Sequence, residues 1–505
     1  MKLSAYTLKN ISSDKIIVPD ETILELPERV LQFGTGILLR GLPDYFIDKA
    51  NRMGIFNGRV VIVKTTARGD TTAFEKQDGL YTLCVRGIQD GHKVEENIIN
   101  SSISRVLNAG NEWEQILECA HNQNLQVIIS NTTEVGIKLV NDDIRRHPPV
   151  SYPGKLLAFL YERFVAFEGS EKSGFVIIPT ELIPDNGKKL ESIVFELAHL
   201  NGLNDDFIEW LESCNHFCNS LVDRIVTGMP GEEIRREIEQ ELGYNDDLLT
   251  VCEVYRLWAI EGNEETKKIV SFAAADGGMV IEPNIDLYRE LKLRLLNGTH
   301  TLSCGIAFLA GIDTVEHAMD DPMMGKYISD LMQKEIGPSI PYTIDAETLR
   351  NFIATVQDRF RNPHINHFWK NITLNYTQKI KMRCIPVFLN YYNKNQAIPE
   401  LFAMGFAAYI AFMKPVKQSG KEFFGEFQGQ SYLIEDETAD IFYKTWQTSS
   451  VNRVVKEVLG NAGFWGQDLT TIPGLEQSVT DKLNSILNNG MRAAVEDIHS
   501  KKIYV

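Results

Sequence analysis

The stretch "VLQFGTGILLRG" (Val30 to Gly41) decides the fold. It opens with strand-forming residues, turns on Gly34 and Gly36, and leaves as an apolar helix. In a dinucleotide-binding fold the first strand gives way to the first helix in this way. The glycines permit a tight turn and a close backbone approach, and the helix start presents N–H groups to a pyrophosphate. The third glycine of that fingerprint is absent, because Leu39 stands in its place. Phe33, Gly34, Thr35 and Gly36 are therefore the candidate cofactor turn.

The surrounding sequence supports this reading. "RVVIVK" (Arg59 to Lys64), "LQVIIS" (Leu125 to Ser130) and "GFVIIP" (Gly174 to Pro179) are continuous apolar runs. Such runs, separated by helical patterns like "LLRGLPDYFIDKAN" and "KLLAFLYERFVAF", predict a parallel sheet covered on both faces. The second strand ends in Lys64 and "TTARGD", not in an acid. Asp70 could reach ribose hydroxyls and Arg68 a 2′-phosphate, so these residues leave NAD and NADP open, with NAD the default.

From about Asn284 helical periodicity takes over. The chain is expected to divide into a Rossmann-like α/β domain over residues 1–283 and a mainly α-helical domain over 284–505. "DLLTVCEVYRLWAI" and "GGMVIEP" are candidate extra strands of the first. "LFAMGFAAYIAFM" (Leu401 to Met413) is too short to span a bilayer and reads as a buried helix. The 505 residues carry a formal charge of −17, which argues against nucleic acid and anionic membrane as partners. Seven scattered cysteines form no metal or disulfide pattern, and no signal peptide opens the sequence, so a cytoplasmic protein with reduced thiols is expected.

"KLRLLNGTH" (Lys292 to His300) sets an amine, an amide and an imidazole among leucines. At about 100° per residue, Asn297 lies roughly 140° and His300 roughly 80° around the helix from Lys292. The three share one face, expected to line a cleft; the plainer alternative is a surface lysine above a core His and Asn. Gly298 in mid-helix suggests a close approach to the backbone.

Lys-x4-Asn-x2-His is the signature of the polyol-specific long-chain dehydrogenases, which include mannitol 2-dehydrogenase. The chain resembles that family over nearly its whole length, and most strongly its tagaturonate reductase branch. "QFGTGILLRG", "SNTTEVGI", "ELIPDNG", "CNSLVDRIVTG", "LNGTHT" and "RFRNPHI" carry the resemblance. Ile37 and Leu38 stand where relatives more often have Asn-Phe. The resemblance implies metal-independent, NADH-dependent reduction of D-tagaturonate to D-altronate in a cleft between two domains. Fructuronate reduction is the near alternative and a non-catalytic dinucleotide sensor the distant one.

It also implies site roles. Thr133 and Glu134 join the cofactor residues. Lys292 is the proton donor, and Asn297 and Asn186 donate amide hydrogens to the developing alkoxide. His300 binds a substrate hydroxyl, and Asp223 lies near the site. An amine among apolar side chains suits proton exchange with the substrate oxygen. A uronate carboxylate needs cations, and "DRFRNPHINH" offers Arg359 and His367 first, with Arg361, Lys379 and Lys381 as alternatives.

Overall fold

The structure is a computed structural model and describes residues 1–11, 14–66, 70–132 and 136–501. The chain folds as two units, Met1–Gly87 with Lys93–Ile285, and Ile88–His92 with Asp286–Val505. The second unit thus takes in Ile88–His92, which a single cut after residue 283 leaves in the first. Within it the Gly91 amide donates to the Asp358 carboxylate at 3.2 Å.

Unit 1 is built on six strands: β1 (Glu28–Phe33), β2 (Arg59–Lys64), β3 (Ile103–Asn108), β4 (Val127–Ser130), β5 (Val176–Pro179) and β6 (His216–Phe217). They form one parallel sheet in the order β3-β2-β1-β4-β5-β6. This is the doubly wound order, and its direction reverses between β1 and β4, where such folds bind ligands. The continuous apolar runs follow from burial on both faces. Val30, Val60, Ile62, Val127 and Ile129 pack into one core. Their sequence neighbours Leu31, Val61, Val63, Ile128 and Ile177 pack into the other, as the strand period of two requires.

"LLRGLPDYFIDKAN" is not one helix but two, Ile37–Gly41 and Pro43–Arg52. Leu42 between them leaves helical geometry (φ −132°, ψ −77°), as a residue before proline tends to. The candidate extra strands are present, and Thr250–Glu253, Leu257–Glu261 and Met279–Glu282 join two smaller sheets. The strands Tyr81–Gln89 and His92–Asn100 add to what the sequence pattern predicts.

Unit 2 is mainly helical. Its central helix Glu400–Phe412 is buried from Leu401 onward, in line with its apolar sequence. Gly405 there lets Leu302 approach; a Cβ on Gly405 would meet the Leu302 carbonyl at 2.8 Å. An antiparallel sheet of Lys417–Ser419, Glu422–Phe427 and Gln430–Ile434 is an addition to the expected helical domain. Among the described residues, no helix is long and apolar enough to cross a membrane. None of the seven cysteines is in a disulfide.

Candidate active site

In unit 1, a cavity of about 580 Å³ lies where the sheet order reverses, walled by Gly34, Thr35, Gly36, Thr65, Asn131 and Thr132 among others. Gly34 has φ +127°, and a Cβ there would sit 3.0 Å from both the Asn131 carbonyl and Leu39. Only glycine takes that turn without strain. Gly36 differs: the nearest atom to a Cβ would be Asn131 Oδ1 at 4.0 Å. Its space is the cavity itself. A glycine turn that opens directly onto a cavity at the switch point fits a dinucleotide.

Two of the expected cofactor residues are not among those lining this cavity. The Phe33 side chain is fully buried against the Tyr152 ring (centroids 5.2 Å apart) and supports the turn from beneath. Asp70 is exposed and accepts the Thr72 amide at 3.3 Å. At the end of β2 the cavity wall is Thr65 and Thr66 instead. Arg68, Thr133 and Glu134 fall outside the described residues.

Asn186 is not available as an oxyanion donor. Its Nδ2 donates to the carbonyls of Pro179 (3.0 Å), Glu181 (3.0 Å) and Ser220 (3.1 Å). Its Oδ1 accepts the amides of Gly187 and Ser220, both at 2.9 Å. Both amide hydrogens are engaged in a buried tie between the end of β5 and the strand Ser220–Asp223. Asp223 ends that strand and is buried. The neighbouring Arg224 directs its guanidinium to the carbonyls of Glu253 (2.9 Å) and Gly41 (2.6 Å) and over the Tyr45 ring.

In unit 2, the Lys292 segment is not a plain α-helix. Asp286–Glu290 passes into a π-helix over Leu291–Leu296 and then an α-helix over Asn297–Leu309, with the Asn297 N–H bonded to the Lys292 carbonyl. An i to i+5 helix turns by roughly 80° per residue, so Asn297 returns to about 40° from Lys292 and His300 to about 20° on its other side. The trio spans roughly 60°, much tighter than the roughly 140° an α-helical wheel assigns. Leu291, Leu295 and Leu296 point into the core, and Lys292 is half-buried, not enclosed by leucine. Gly298 packs near the Arg383 carbonyl, which would lie 3.7 Å from a Cβ on that glycine. That is ordinary van der Waals distance, so the close approach expected of this glycine is not made by any neighbour in the described residues.

His300 is buried, stacked on Phe360 (4.2 Å, 12°), and meets the edges of His367 (5.0 Å) and Trp369 (5.9 Å). Its Nε2 is buried without a hydrogen-bond partner among the described residues. Burial first, then the cations His367, Arg359, Arg383 and Lys379, hold its pKa well below the usual value. The ring is therefore neutral near pH 7 and presents one nitrogen to whatever enters. His367 is likewise held down by burial, Arg359 and Lys379.

The structure thus gathers His300, Arg359, His367, Lys379 and Arg383. Arg361 is exposed, 3.8 Å from Asp358, and Lys381 donates to the Gly463 carbonyl at 3.2 Å, so neither belongs to the group. Arg383 is the member that sequence reasoning missed, although it stands four residues after Lys379, on the same helical face by ordinary spacing. Among the described residues, no three His, Cys, Asp or Glu side chains form a metal-holding group.

Comparison with known proteins agrees with this architecture. The mannitol dehydrogenase Rossmann domain matches residues 28–271 and the mannitol dehydrogenase C-terminal domain residues 284–487. The altronate oxidoreductase of Bacillus subtilis (strain 168) is 39% identical over 476 residues, covering 94% of this chain and 95% of that protein. That of Pectobacterium carotovorum subsp. carotovorum (strain PC1) is 37% identical, covering 93% and 96%. Among solved structures, Pseudomonas fluorescens mannitol 2-dehydrogenase in ternary complex with NAD and D-mannitol aligns over 99% of this chain and 100% of that one (TM-score 0.68, 22% identity). A substrate-free D-sorbitol dehydrogenase aligns over 98% and 100% (TM-score 0.79, 19% identity). With both halves matched and relatives this similar along almost its full length, the chain belongs to the mannitol dehydrogenase family.

Proposed function

We propose that the chain is an NAD-dependent oxidoreductase of hexuronate breakdown, interconverting D-tagaturonate and D-altronate in the cytoplasm. The observation that carries this reading is the cationic group around His300. A neutral polyol has no use for two arginines and a lysine around this histidine, whereas a sugar acid does. The relatives named altronate oxidoreductase support the same substrate, and the NAD complex of mannitol 2-dehydrogenase supports the same cofactor.

The Gly34–Gly36 turn would hold NADH, which when bound would supply the hydride. The chain's own residues manage the charge that follows. Lys292 gives its ammonium proton to the former carbonyl oxygen, and in the reverse direction its amine takes the alcohol proton. The Asn297 amide donates to that oxygen as negative charge develops. Neutral His300 meets a substrate hydroxyl through Nε2, which relieves a buried unpaired nitrogen worth about 1–3 kcal/mol.

The test is steady-state oxidation of NADH or NADPH by the purified chain with tagaturonate, fructuronate and fructose. The expected result is the highest kcat/KM with tagaturonate and NADH. Preference for fructose, or no turnover of either hexuronate, overturns the reading; preference for fructuronate moves it to the epimer.

A further inference from the structure

Among the described residues, Arg383 differs from most other interior arginines; Arg40 also lacks a carboxylate partner, but its guanidinium lies over the Phe74 and Tyr81 rings. Arg59 is wrapped by backbone carbonyls of Leu24, Ser101 and Ile103, and Arg163 by those of Ala120, Asn122, Leu125 and Ser173. Arg256 pairs with Asp276 and Arg294 with Glu290. Arg383 makes one hydrogen bond, from Nη1 to Thr301 Oγ1 at 3.2 Å, and has no carboxylate partner among the described residues. A part-buried cation left this way is costly unless an anion completes it.

Its position is fixed from two sides. It lies in another π-helical segment, Ile380–Cys384. Arg294 donates to the Met382 carbonyl, and Cys384 Sγ donates to the Gly298 carbonyl at 3.7 Å. Thr301 in turn donates to the Asn297 carbonyl at 2.7 Å, so the guanidinium is tied to the helix that carries Asn297 and His300. Two of the other cations near His300 are less suited to a carboxylate. Lys379 already donates to the Ile372 carbonyl at 2.9 Å, and His367 is held toward its neutral form.

Resting on the proposed function, we propose that Arg383, held by Thr301, binds the carboxylate of the sugar acid and so selects acids over neutral ketoses. A guanidinium stays charged at any working pH, and one bond to Thr301 leaves most of its donors for a two-oxygen ligand. Thr301 is a positioning residue.

The test compares wild type with Arg383→Met, Arg383→Lys and Thr301→Val, using kcat/KM for tagaturonate and for fructose. NADH binding by fluorescence reports that each variant is folded. Calorimetric binding of D-altronate to the NADH-loaded protein gives a readout that needs no turnover. Arg383→Met should lower kcat/KM for tagaturonate roughly 10- to 150-fold, mainly through KM, the range of a charge-assisted contact, and leave fructose nearly unchanged. Arg383→Lys should recover part of the loss, and Thr301→Val should lose a smaller part. Equal losses on both substrates, or none, overturn the assignment. If wild type turns over no hexuronate yet binds D-altronate through Arg383, the proposed function fails and the carboxylate site stands.

Discussion

Truncating Asn186 to alanine separates a structural role from a chemical one. The side chain makes five hydrogen bonds, three donated and two accepted, with no water-facing atom to spare: the residue is 1% exposed. At about 1 kcal/mol net for each bond, losing all of them costs about 5 kcal/mol. Water entering the vacated space would re-partner some of the carbonyls, which brings the loss to about 3 kcal/mol at the low end. Domains of this size lose roughly 2 °C of midpoint per kcal/mol, so the transition of unit 1 should fall by about 6–10 °C. Scanning calorimetry reads this directly. Below the new midpoint the variant should keep a kcat within a few-fold of wild type, because its amide hydrogens face backbone carbonyls and not a substrate. An unchanged midpoint with a kcat lowered 100-fold would refute this and restore Asn186 as a donor to the reacting oxygen.

Lys292→Met should lower kcat by about 100-fold or more while NADH affinity holds, as expected when a general acid is removed, and chelators should leave wild-type turnover intact; a variant that turns over normally would end the proposed role. Gly36→Val should fold normally, since its Cβ meets no atom within 4.0 Å save Asn131 Oδ1, yet lose NADH binding as measured by fluorescence titration; unchanged affinity would place the cofactor elsewhere. Acidification should destabilise unit 2 through His300. Its folded pKa is depressed, so its stability contribution is complete above the unfolded value of about 6.5 and is lost as pH falls toward the folded value, at up to about 1.4 kcal/mol per pH unit. His300→Asn should show a shallower loss between pH 6.5 and pH 5 in urea unfolding, and an identical slope would count against the depressed value.

Much of unit 1 was legible because its strands are buried on both sides. Runs such as Arg59–Lys64 need no partner to be recognised, and the glycine turn after β1 marked the switch point. The hairpin Tyr81–Asn100 was harder, since "HKVEENIIN" begins exposed and charged and only its last residues are buried. The small sheet of unit 2 did leave a signal. Gln428 and Gly429 both take positive φ, the mark of a tight two-residue hairpin turn, between "EFFGEF" and "QSYLI". The surrounding helices masked it.

At the site, residue types were readable and directions were not. Asn186 has the chemistry of a donor, but its acceptors come from Pro179 and Ser220, far apart in sequence. The phase of Lys292 depended on a helical insertion that no local propensity specifies. That insertion has a physical purpose in view of its neighbours. Regular α-helical steps would leave Lys292 well round the helix from Asn297; one wider turn draws the amine, the amide and the imidazole to one side without moving Leu291, Leu295 or Leu296 out of the core. Another wide turn at Ile380–Cys384 carries Arg383, and Arg294 and Cys384 join the two. Each wide turn has poorer helix geometry than the α-helix it interrupts. The bonds between these two segments offset that cost. The polar groups therefore converge where local sequence alone would have spread them round two helices.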